Sequence, residues 1–147
     1  MLVLGSLPGD RSLAEQRYYA HPQNRFWHLI GMVIGRDLEP LGYDDRLAAL
    51  LAARVGLWDT VASARRQGSL DAALRDARPA ALGDLVGLLP ALRAVGFNGA
   101  TSARIGMAQL RGTSLALLPL PSSSPAHAAM PLAEKEKLWS RLGDFLA

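Results

Sequence analysis

Four short apolar runs, each followed by a loop and then a helical stretch, constrain the fold of this chain more than any other feature. The runs lie at residues 2–5, 55–58, 94–97 and 114–118. Apolar spacing and helix start and stop signals predict helices at about 22–34, 44–53, 69–77, 80–89, 100–110 and 131–146. This alternation is typical of an α/β domain built on an open, largely parallel sheet.

The length and the absence of cysteine narrow the class of protein. The 147 residues fit one domain spanning 1–147. With no cysteine, iron–sulfur clusters held by thiolates, zinc ribbons and cysteine nucleophiles are excluded. His21, His28 and His127 form no i,i+4 pair, so we expect no metal. The apolar run at the start ends at Gly5, too short for a signal peptide or a membrane span, and we expect a cytoplasmic protein with no membrane contact.

The charge is mildly basic and carried almost wholly by arginine. The formal net charge is +3, and all of the 16 basic residues except Lys135 and Lys137 are arginine. The planar guanidinium suits phosphate. A GC-rich genome also produces arginine- and alanine-rich chains, so basicity by itself does not establish nucleic-acid binding.

The loops that follow the strands are the places to search for function, because open parallel sheets bind ligands outside the carboxyl ends of their strands. After the first strand, glycines allow a ligand close to the backbone. Pro22, taken as a first helical residue, places Asn24 in the first turn, where its amide can project into a cleft or simply cap the helix. Nearby, Tyr18 and Tyr19 would point to opposite faces of an extended segment. One ring can then pack inward while the other offers a stacking platform for a base, or both rings belong to the core.

The later loops offer polar groups for DNA. Ser122, Ser123 and Ser124 form a stiff turn between two prolines that can hold a phosphate or enter a groove, or that is an ordinary surface loop. Asn98 is either a turn residue or an amide that reads a base edge. Arg11 and Arg25, which follow the first strand, are candidate phosphate contacts as well. The alternative for Arg25 is an ion pair with a nearby carboxylate at helical spacing.

Three segments resemble the uracil-DNA glycosylase superfamily. They are Gly5-Ser6-Leu7-Pro8-Gly9, the stretch from Tyr19 to Trp27 that reads Y-A-H-P-Q-N-R-F-W, and the stretch from Pro121 to Pro125 that reads P-S-S-S-P. The pattern is most similar to the hypoxanthine-DNA glycosylase branch and is related to the mismatch-specific uracil-DNA glycosylases. The resemblance covers nearly the whole chain and implies a three-layer α/β fold, in which helices flank a four-stranded, mostly parallel sheet.

The resemblance also implies roles for individual residues. Asn24 takes the place of the catalytic amide of the hypoxanthine branch, and Tyr19 that of the aromatic ring that stacks on the flipped base. Base-binding contacts fall on Gly5, Ser6, Leu7, Pro8, Gly9 and Asn98. Leu7 replaces the catalytic asparagine of the mismatch-specific enzymes, and Leu120 replaces a polar residue that stabilises the leaving group in many members.

The function predicted from the sequence is that of a monomeric, cofactor-free DNA glycosylase of base excision repair. It would hydrolyse the N-glycosidic bond of a deaminated base in DNA, with hypoxanthine preferred and uracil second. No lysine lies near the motifs, so the product would be an abasic site. The alternatives are a mismatch-specific uracil-DNA glycosylase and a DNA-binding module of the same fold without catalysis. No role follows from the sequence for Asp59.

Overall fold

The structure, a computed structural model, describes residues 1–6, 17–65, 75–125 and 129–146. In chain order its elements are β1 (Leu2–Gly5), α1 (Phe26–Ile34), α2 (Tyr43–Ala52), β2 (Gly56–Asp59), β3 (Val61–Arg65), β4 (Arg75–Pro79), α3 (Leu82–Gly87), β5 (Ala94–Asn98), α4 (Ala100–Leu110), β6 (Ala116–Leu120), α5 (Leu132–Trp139) and a 3₁₀ helix (Ser140–Phe145). Four of the strands form one sheet in the order β2-β1-β5-β6, and every pairing in it is parallel. The four strands predicted from the sequence are confirmed, with small shifts of their bounds.

The central strands read as continuous apolar runs because both faces of the sheet are covered. Leu2, Val3 and Leu4 of β1 are at most 4 % exposed, and every residue of β5 is buried. A strand covered on one face only would instead alternate apolar and polar residues. The burial of these strands therefore requires a layer of helices on each side.

Neighbouring residues of β1 show what those two layers are. Val3 belongs to a core cluster with Phe26 of α1, Trp139 of α5 and Leu142 of the 3₁₀ helix. Leu4 belongs to a second cluster, which contains Leu82 of α3 and Leu110 of α4. Successive side chains of a strand point to opposite faces, so the two clusters lie on opposite sides of the sheet. The predicted three-layer α/β fold is confirmed.

The prediction of a helix over 69–77 is wrong at residues 75–77. These residues belong to β4, which pairs with β3 as a two-stranded antiparallel sheet from Val61↔Pro79 to Arg65↔Arg75. Residues 66–74 lie outside the described part. A helix of nine residues is marginal on its own because nucleation is unfavourable, whereas an antiparallel partner supplies backbone hydrogen bonds.

Other predicted helices differ in their bounds. The helix predicted over 22–34 begins at Phe26, and Pro22 lies in a turn closed by a bond from the Asn24 N–H to the His21 carbonyl, 2.9 Å. The Asn24 side chain competes for the backbone, as short polar side chains do, and it caps the helix from outside. The stretch predicted over 131–146 is α5 followed by the 3₁₀ helix, and that over 80–89 shortens to α3.

Candidate active site at the carboxyl edge of the sheet

The strands of the parallel sheet end together at one edge. The strand register pairs Gly5 with Asp59 and Asn98 with Leu120. Parallel strands share one direction, so the segments that follow all four leave from this edge. The edge therefore gathers Gly5, Asp59, Asn98 and residues 121–125, which we call the serine segment and which lie far from the others in the sequence.

Asn24 lies at this edge as the outer cap of α1. Its Oδ1 accepts a hydrogen bond from the Phe26 N–H, 2.9 Å. The preceding turn is closed by a hydrogen bond from the Asn24 N–H to the His21 carbonyl. In the same turn the Gln23 N–H donates to His21 Nδ1, 3.1 Å. The cap uses the oxygen end of the amide, and the two N–H donors of the side chain are at the other end. Asn24 is half-buried.

Tyr19 packs over the end of the central strand. Its ring stacks on Phe26 with centroids 3.8 Å apart and planes 14° apart. A Cβ atom added to Gly5 would lie 3.1 Å from the Tyr19 hydroxyl oxygen. Tyr19 adopts φ of +54°, an uncommon conformation for a residue with a side chain. The segment that carries the Y-A-H-P-Q-N motif thus closes over the carboxyl end of β1.

The expectation that Tyr18 and Tyr19 alternate as in a strand is wrong, because both lie in a turn. The Tyr18 N–H donates to the Tyr43 hydroxyl, 3.0 Å, and the two neighbouring rings are tilted with centroids 6.1 Å apart. Tyr19, and not Tyr18, packs against the core cluster of Phe26 and Trp139. The side chain of Tyr18 instead meets a carboxyl group at the edge of the sheet.

That carboxyl group belongs to Asp59, the last residue of β2, for which the sequence suggested no role. Burial raises the pKa of Asp59 to about 6, and a hydrogen bond from Tyr18 acts in the opposite direction. Burial, followed by the Asp59 charge, raises the pKa of Tyr18 to about 12. The phenol therefore donates to the carboxylate. The only signal in the sequence was the position of an acidic residue directly after a predicted strand.

Gly5 lies between the side chains of Tyr19 and Asp59. The same added Cβ atom would lie 3.5 Å from Asp59 Oδ1, so a side chain at this position would enter the space between the Tyr19 hydroxyl and the Asp59 carboxylate. Ser6, the next residue, is 6 % exposed. Leu7, Pro8, Gly9 and Arg11, also predicted to lie in the site, are outside the described residues.

Asn98 and the serine segment meet on the far side of the edge. Asn98 Nδ2 donates to Ser123 Oγ and the Ser123 N–H donates to Asn98 Oδ1, both at 2.9 Å. Ser123 is 1 % exposed, so its hydroxyl faces the interior. Ser122 and Ser124 are half-buried, and the Ser124 N–H donates to Ser122 Oγ, 3.1 Å. Of the three serines, Ser122 and Ser124 are thus the ones placed nearer to solvent.

Two further residues bear on the sequence predictions. Leu120 is 5 % exposed and belongs to the core cluster, so an apolar, packed side chain stands where many superfamily members have a polar one. Arg25 is exposed, and its N–H donates to the Ser123 carbonyl, 3.0 Å. Its guanidinium thus lies on the surface beside the site.

Neither a metal-binding cluster nor a membrane span is present among residues 1–6, 17–65, 75–125 and 129–146. Within these ranges no three His, Cys, Asp or Glu side chains are grouped so that they could hold a metal ion. Over the same residues, no helix has the length and apolar character needed to cross a membrane.

Comparison with known proteins decides the family. Residues 1–143 match the family model described as the uracil DNA glycosylase superfamily. The chain belongs to the uracil-DNA glycosylase superfamily. The resemblance seen in the sequence is confirmed, and the match covers the whole carboxyl edge, from β1 to the serine segment.

Two relatives from Methanosarcina species share the same name. The chain is 39 % identical over 127 residues to a protein of Methanosarcina acetivorans named hypoxanthine DNA glycosylase, covering 86 % of this chain and 80 % of the relative. It is 42 % identical over 102 residues to a protein of the same name from Methanosarcina barkeri, covering 69 % of this chain and 65 % of that protein.

A solved structure supports the same placement. The solution NMR structure of a candidate uracil DNA glycosylase from Methanosarcina acetivorans superposes with a TM-score of 0.87 at 36 % identity. The superposition covers 99 % of this chain and 89 % of that one. Fold and superfamily membership therefore agree.

Proposed function

We propose that this chain is a monofunctional DNA glycosylase that removes a deaminated base, hypoxanthine first, from DNA. The observation that carries the proposal is the closure of the Y-A-H-P-Q-N segment over the carboxyl end of β1, where the Tyr19 hydroxyl lies above Gly5. Tyr19 and Asp59 lie on either side of Gly5, and Asn24 follows Tyr19 in the same segment. The names of the Methanosarcina relatives support hypoxanthine as the base.

Cleavage of the N-glycosidic bond requires little of the protein beyond positioning the base and a water molecule. The bond between the base nitrogen and sugar C1′ breaks with its electron pair leaving on the base, through an oxocarbenium-like sugar. A water oxygen then bonds to C1′ and its proton leaves to solvent or to the departing base. An amide such as Asn24 can hold that water by hydrogen bonds. No strong base is needed when the bond to the leaving group is largely broken first.

Base flipping is the step that needs binding energy. A base in a duplex must leave the stack, at a cost of roughly a few kcal/mol. Stacking on an aromatic ring returns about 1–3 kcal/mol. In our proposal the Tyr19 ring, already supported by Phe26, provides that platform.

Asp59 suits the recognition of a deaminated base. Hypoxanthine carries N1–H beside O6, whereas adenine presents a bare N1 beside an amino group. An ionised carboxylate only accepts hydrogen bonds, so it pairs with N1–H of hypoxanthine and repels the lone pair of adenine N1. Uracil carries the equivalent N3–H, and the same carboxylate distinguishes it from cytosine. The proposal therefore ranks uracil as the second base.

We further propose that the product is an abasic site and that one chain acts alone, without cofactor. Both lysines of the sequence, Lys135 and Lys137, lie on α5 and not in the segments that follow the strands. A covalent amine intermediate has no evident nucleophile at the carboxyl edge within the described residues.

The test uses duplex oligonucleotides that carry a single deoxyinosine or deoxyuridine, with an undamaged duplex as control. After incubation, alkali cleaves abasic sites and a gel resolves the products. We expect release of hypoxanthine to exceed release of uracil. Base release by Asn24→Ala is measured in the same assay. Its matched control is Gln23→Ala, which truncates the exposed neighbouring side chain. Release from neither oligonucleotide overturns the proposal, and binding without release supports the inactive DNA-binding module.

A further inference from the structure

Two hydrogen bonds join the end of β5 to the serine segment in a closed ring. Asn98 Nδ2 donates to Ser123 Oγ, and the Ser123 N–H donates to Asn98 Oδ1, each at 2.9 Å. Asn98 is 7 % exposed and Ser123 is 1 % exposed, so water does not substitute for either bond. We call this pair of residues the Asn98–Ser123 clasp. Both ends of the Asn98 amide have a partner within the protein.

The clasp continues into the segment that carries Asn24. The Ser123 carbonyl accepts a hydrogen bond from the Arg25 N–H, 3.0 Å. Arg25 is the N-cap residue of α1, and its own side chain makes no capping bond. The peptide that joins Asn24 to Arg25 is therefore oriented by the carbonyl of a residue whose position is fixed by Asn98.

The rest of the serine segment is fastened at other points. The Trp139 indole N–H donates to the Pro121 carbonyl, 2.9 Å, and the Gly99 N–H donates to the Leu120 carbonyl, 3.0 Å. A Cβ atom on Gly99 would lie 3.4 Å from Ser122 Cβ, and Gly99 has φ of +99°. These contacts fix where the segment begins. The clasp fixes how Ser123, further along, faces α1.

We propose that Asn98 is a positioning residue for Asn24, acting through Ser123 and the Arg25 peptide. Loss of the clasp leaves the buried Ser123 N–H without its acceptor, so the segment must shift to satisfy it. A shift moves the carbonyl that holds the Arg25 N–H, and with it the Asn24 amide that holds water. The inference rests on the proposed function, because it assumes that Asn24 acts in base release.

The first experiment follows base release with enzyme in excess and DNA saturated. Asn98→Ala should lower the single-turnover rate by roughly tenfold to a hundredfold, as expected for a small misplacement of a catalytic group. Because DNA is saturated, a change in affinity that follows a shift of the serine segment does not enter this rate. Asn98→Asp keeps an oxygen for the Ser123 N–H and a second one for the Ser123 hydroxyl proton, so it should recover most of the rate. If Asn98→Ala releases base at the wild-type rate, the positioning role is overturned.

Gln109→Ala is the matched control for stability. The Gln109 Oε1 accepts from the Leu82 N–H, 3.0 Å, so this change also removes an amide bond to the backbone, on the face of the sheet opposite to α1. It should lower the melting temperature without slowing release. If Asn98→Ala loses stability like Gln109→Ala and keeps its rate, the clasp is purely structural and the proposal fails.

Amide hydrogen exchange tests the same link without DNA. In Asn98→Ala, the Arg25 and Ser123 amides should lose protection, whereas the amides of β1 keep theirs. If Asn98→Ala does not fold, Ser123→Ala, which keeps the Ser123 N–H bond to Asn98 and loses the other, should show a smaller change in the same amides and a smaller loss of rate. Unchanged protection at Arg25 overturns the positioning role even when the wild-type protein is active. A wild-type protein that releases no base overturns the proposed function, while the exchange result still decides whether the clasp holds Arg25.

Discussion

At the scale of single residues, Asn24 combines two duties that a mutation can separate. Its Oδ1 caps α1 through the Phe26 N–H, so Asn24→Ala should lower stability by about 0.5–2 kcal/mol. Serine is also a good cap but has no amide. We expect Asn24→Ser to keep most of the stability and both variants to lose roughly a hundredfold or more in base release. Melting curves and single-turnover rates, measured on the same preparations, check this. A Ser variant with a near-wild-type rate would show that Asn24 only caps the helix.

Tyr19 should act through its ring. Tyr19→Phe keeps the stack on Phe26 and should release base at nearly the wild-type rate. Tyr19→Ala removes the platform, which is worth about 1–3 kcal/mol for a stacked base and corresponds to roughly tenfold to a hundredfold in rate. It also exposes Phe26, so melting temperature is measured alongside. A slow but stable Tyr19→Phe would assign the work to the hydroxyl above Gly5.

Asp59 should give base release its pH dependence. Its pKa is raised to about 6, and the proposed contact to the base needs the carboxylate, so release should rise with pH through that value. Tyr18→Phe removes the hydrogen bond that lowers this pKa, and the midpoint should move upward. Asp59→Asn should flatten the acidic limb of a single-turnover profile measured from about pH 5 to 8. An unchanged profile in Asp59→Asn would place the titrating group elsewhere.

The same shift predicts a stability effect of defined sign. A carboxyl group whose folded pKa is raised stabilises the protein when protonated, and that stability is lost as pH rises from the usual value of 3.8 through about 6. At pH 8, wild-type Asp59 is a half-buried charge held by Tyr18, and asparagine avoids burying that charge. Asp59→Asn should therefore melt at a higher temperature than wild type at pH 8, and the difference should shrink toward pH 5. The opposite trend would mean that Asp59 is stabilised as a charge.

At the scale of elements, the sequence predicts whatever is set by local pattern. The four strands of the sheet are visible because their apolar runs are continuous, and α4 is visible because its spacing and the following Gly112 are local. Strand β4 is missed because its partner β3, and not its own pattern, selects the extended form. The clasp is missed for the same reason, since Asn98 and Ser123 meet only through the topology of the sheet. The sequence places Asp59 at the carboxyl edge, because it follows a predicted strand, but it does not show the hydrogen bond between Asp59 and Tyr18.

The packing of α4 on the sheet depends on one glycine. A Cβ atom at Gly106 would overlap Cε1 of Phe97, inside a fully buried contact. Gly106→Ala should therefore destabilise the protein by about 1–3 kcal/mol through overpacking. Gly83 in α3 has nothing within 4 Å of the same position, and Gly83→Ala should stabilise by roughly 0.5–1 kcal/mol. Urea unfolding of both variants measures the two signs. A neutral Gly106→Ala would mean that α4 can move away from β5 freely.

At the scale of the whole molecule, strand order decides which motif is central. The order β2-β1-β5-β6 puts β1 between two neighbours, so the segment after Gly5 leaves from the middle of the carboxyl edge. Asp59 lies on one side of it and Asn98 on the other. This is a property of the connections between strands, and no single motif of the sequence contains it.

DNA approaching this edge should meet it through phosphates, and the salt dependence of binding should show it. Each phosphate contact that is lost lowers the slope of log affinity against log salt by about 1. Arg25 is exposed beside the site, so Arg25→Ala should reduce the slope by that amount, and Arg11→Ala is expected to do the same. Arg93 directly precedes β5 and lies at the opposite edge, so Arg93→Ala changes the net charge equally and should leave the slope unchanged. Titrations of a labelled duplex at several salt concentrations give all three slopes. If Arg93→Ala alone lowers the slope, DNA binds at the amino edge of the sheet and the carboxyl edge is not the site of base release.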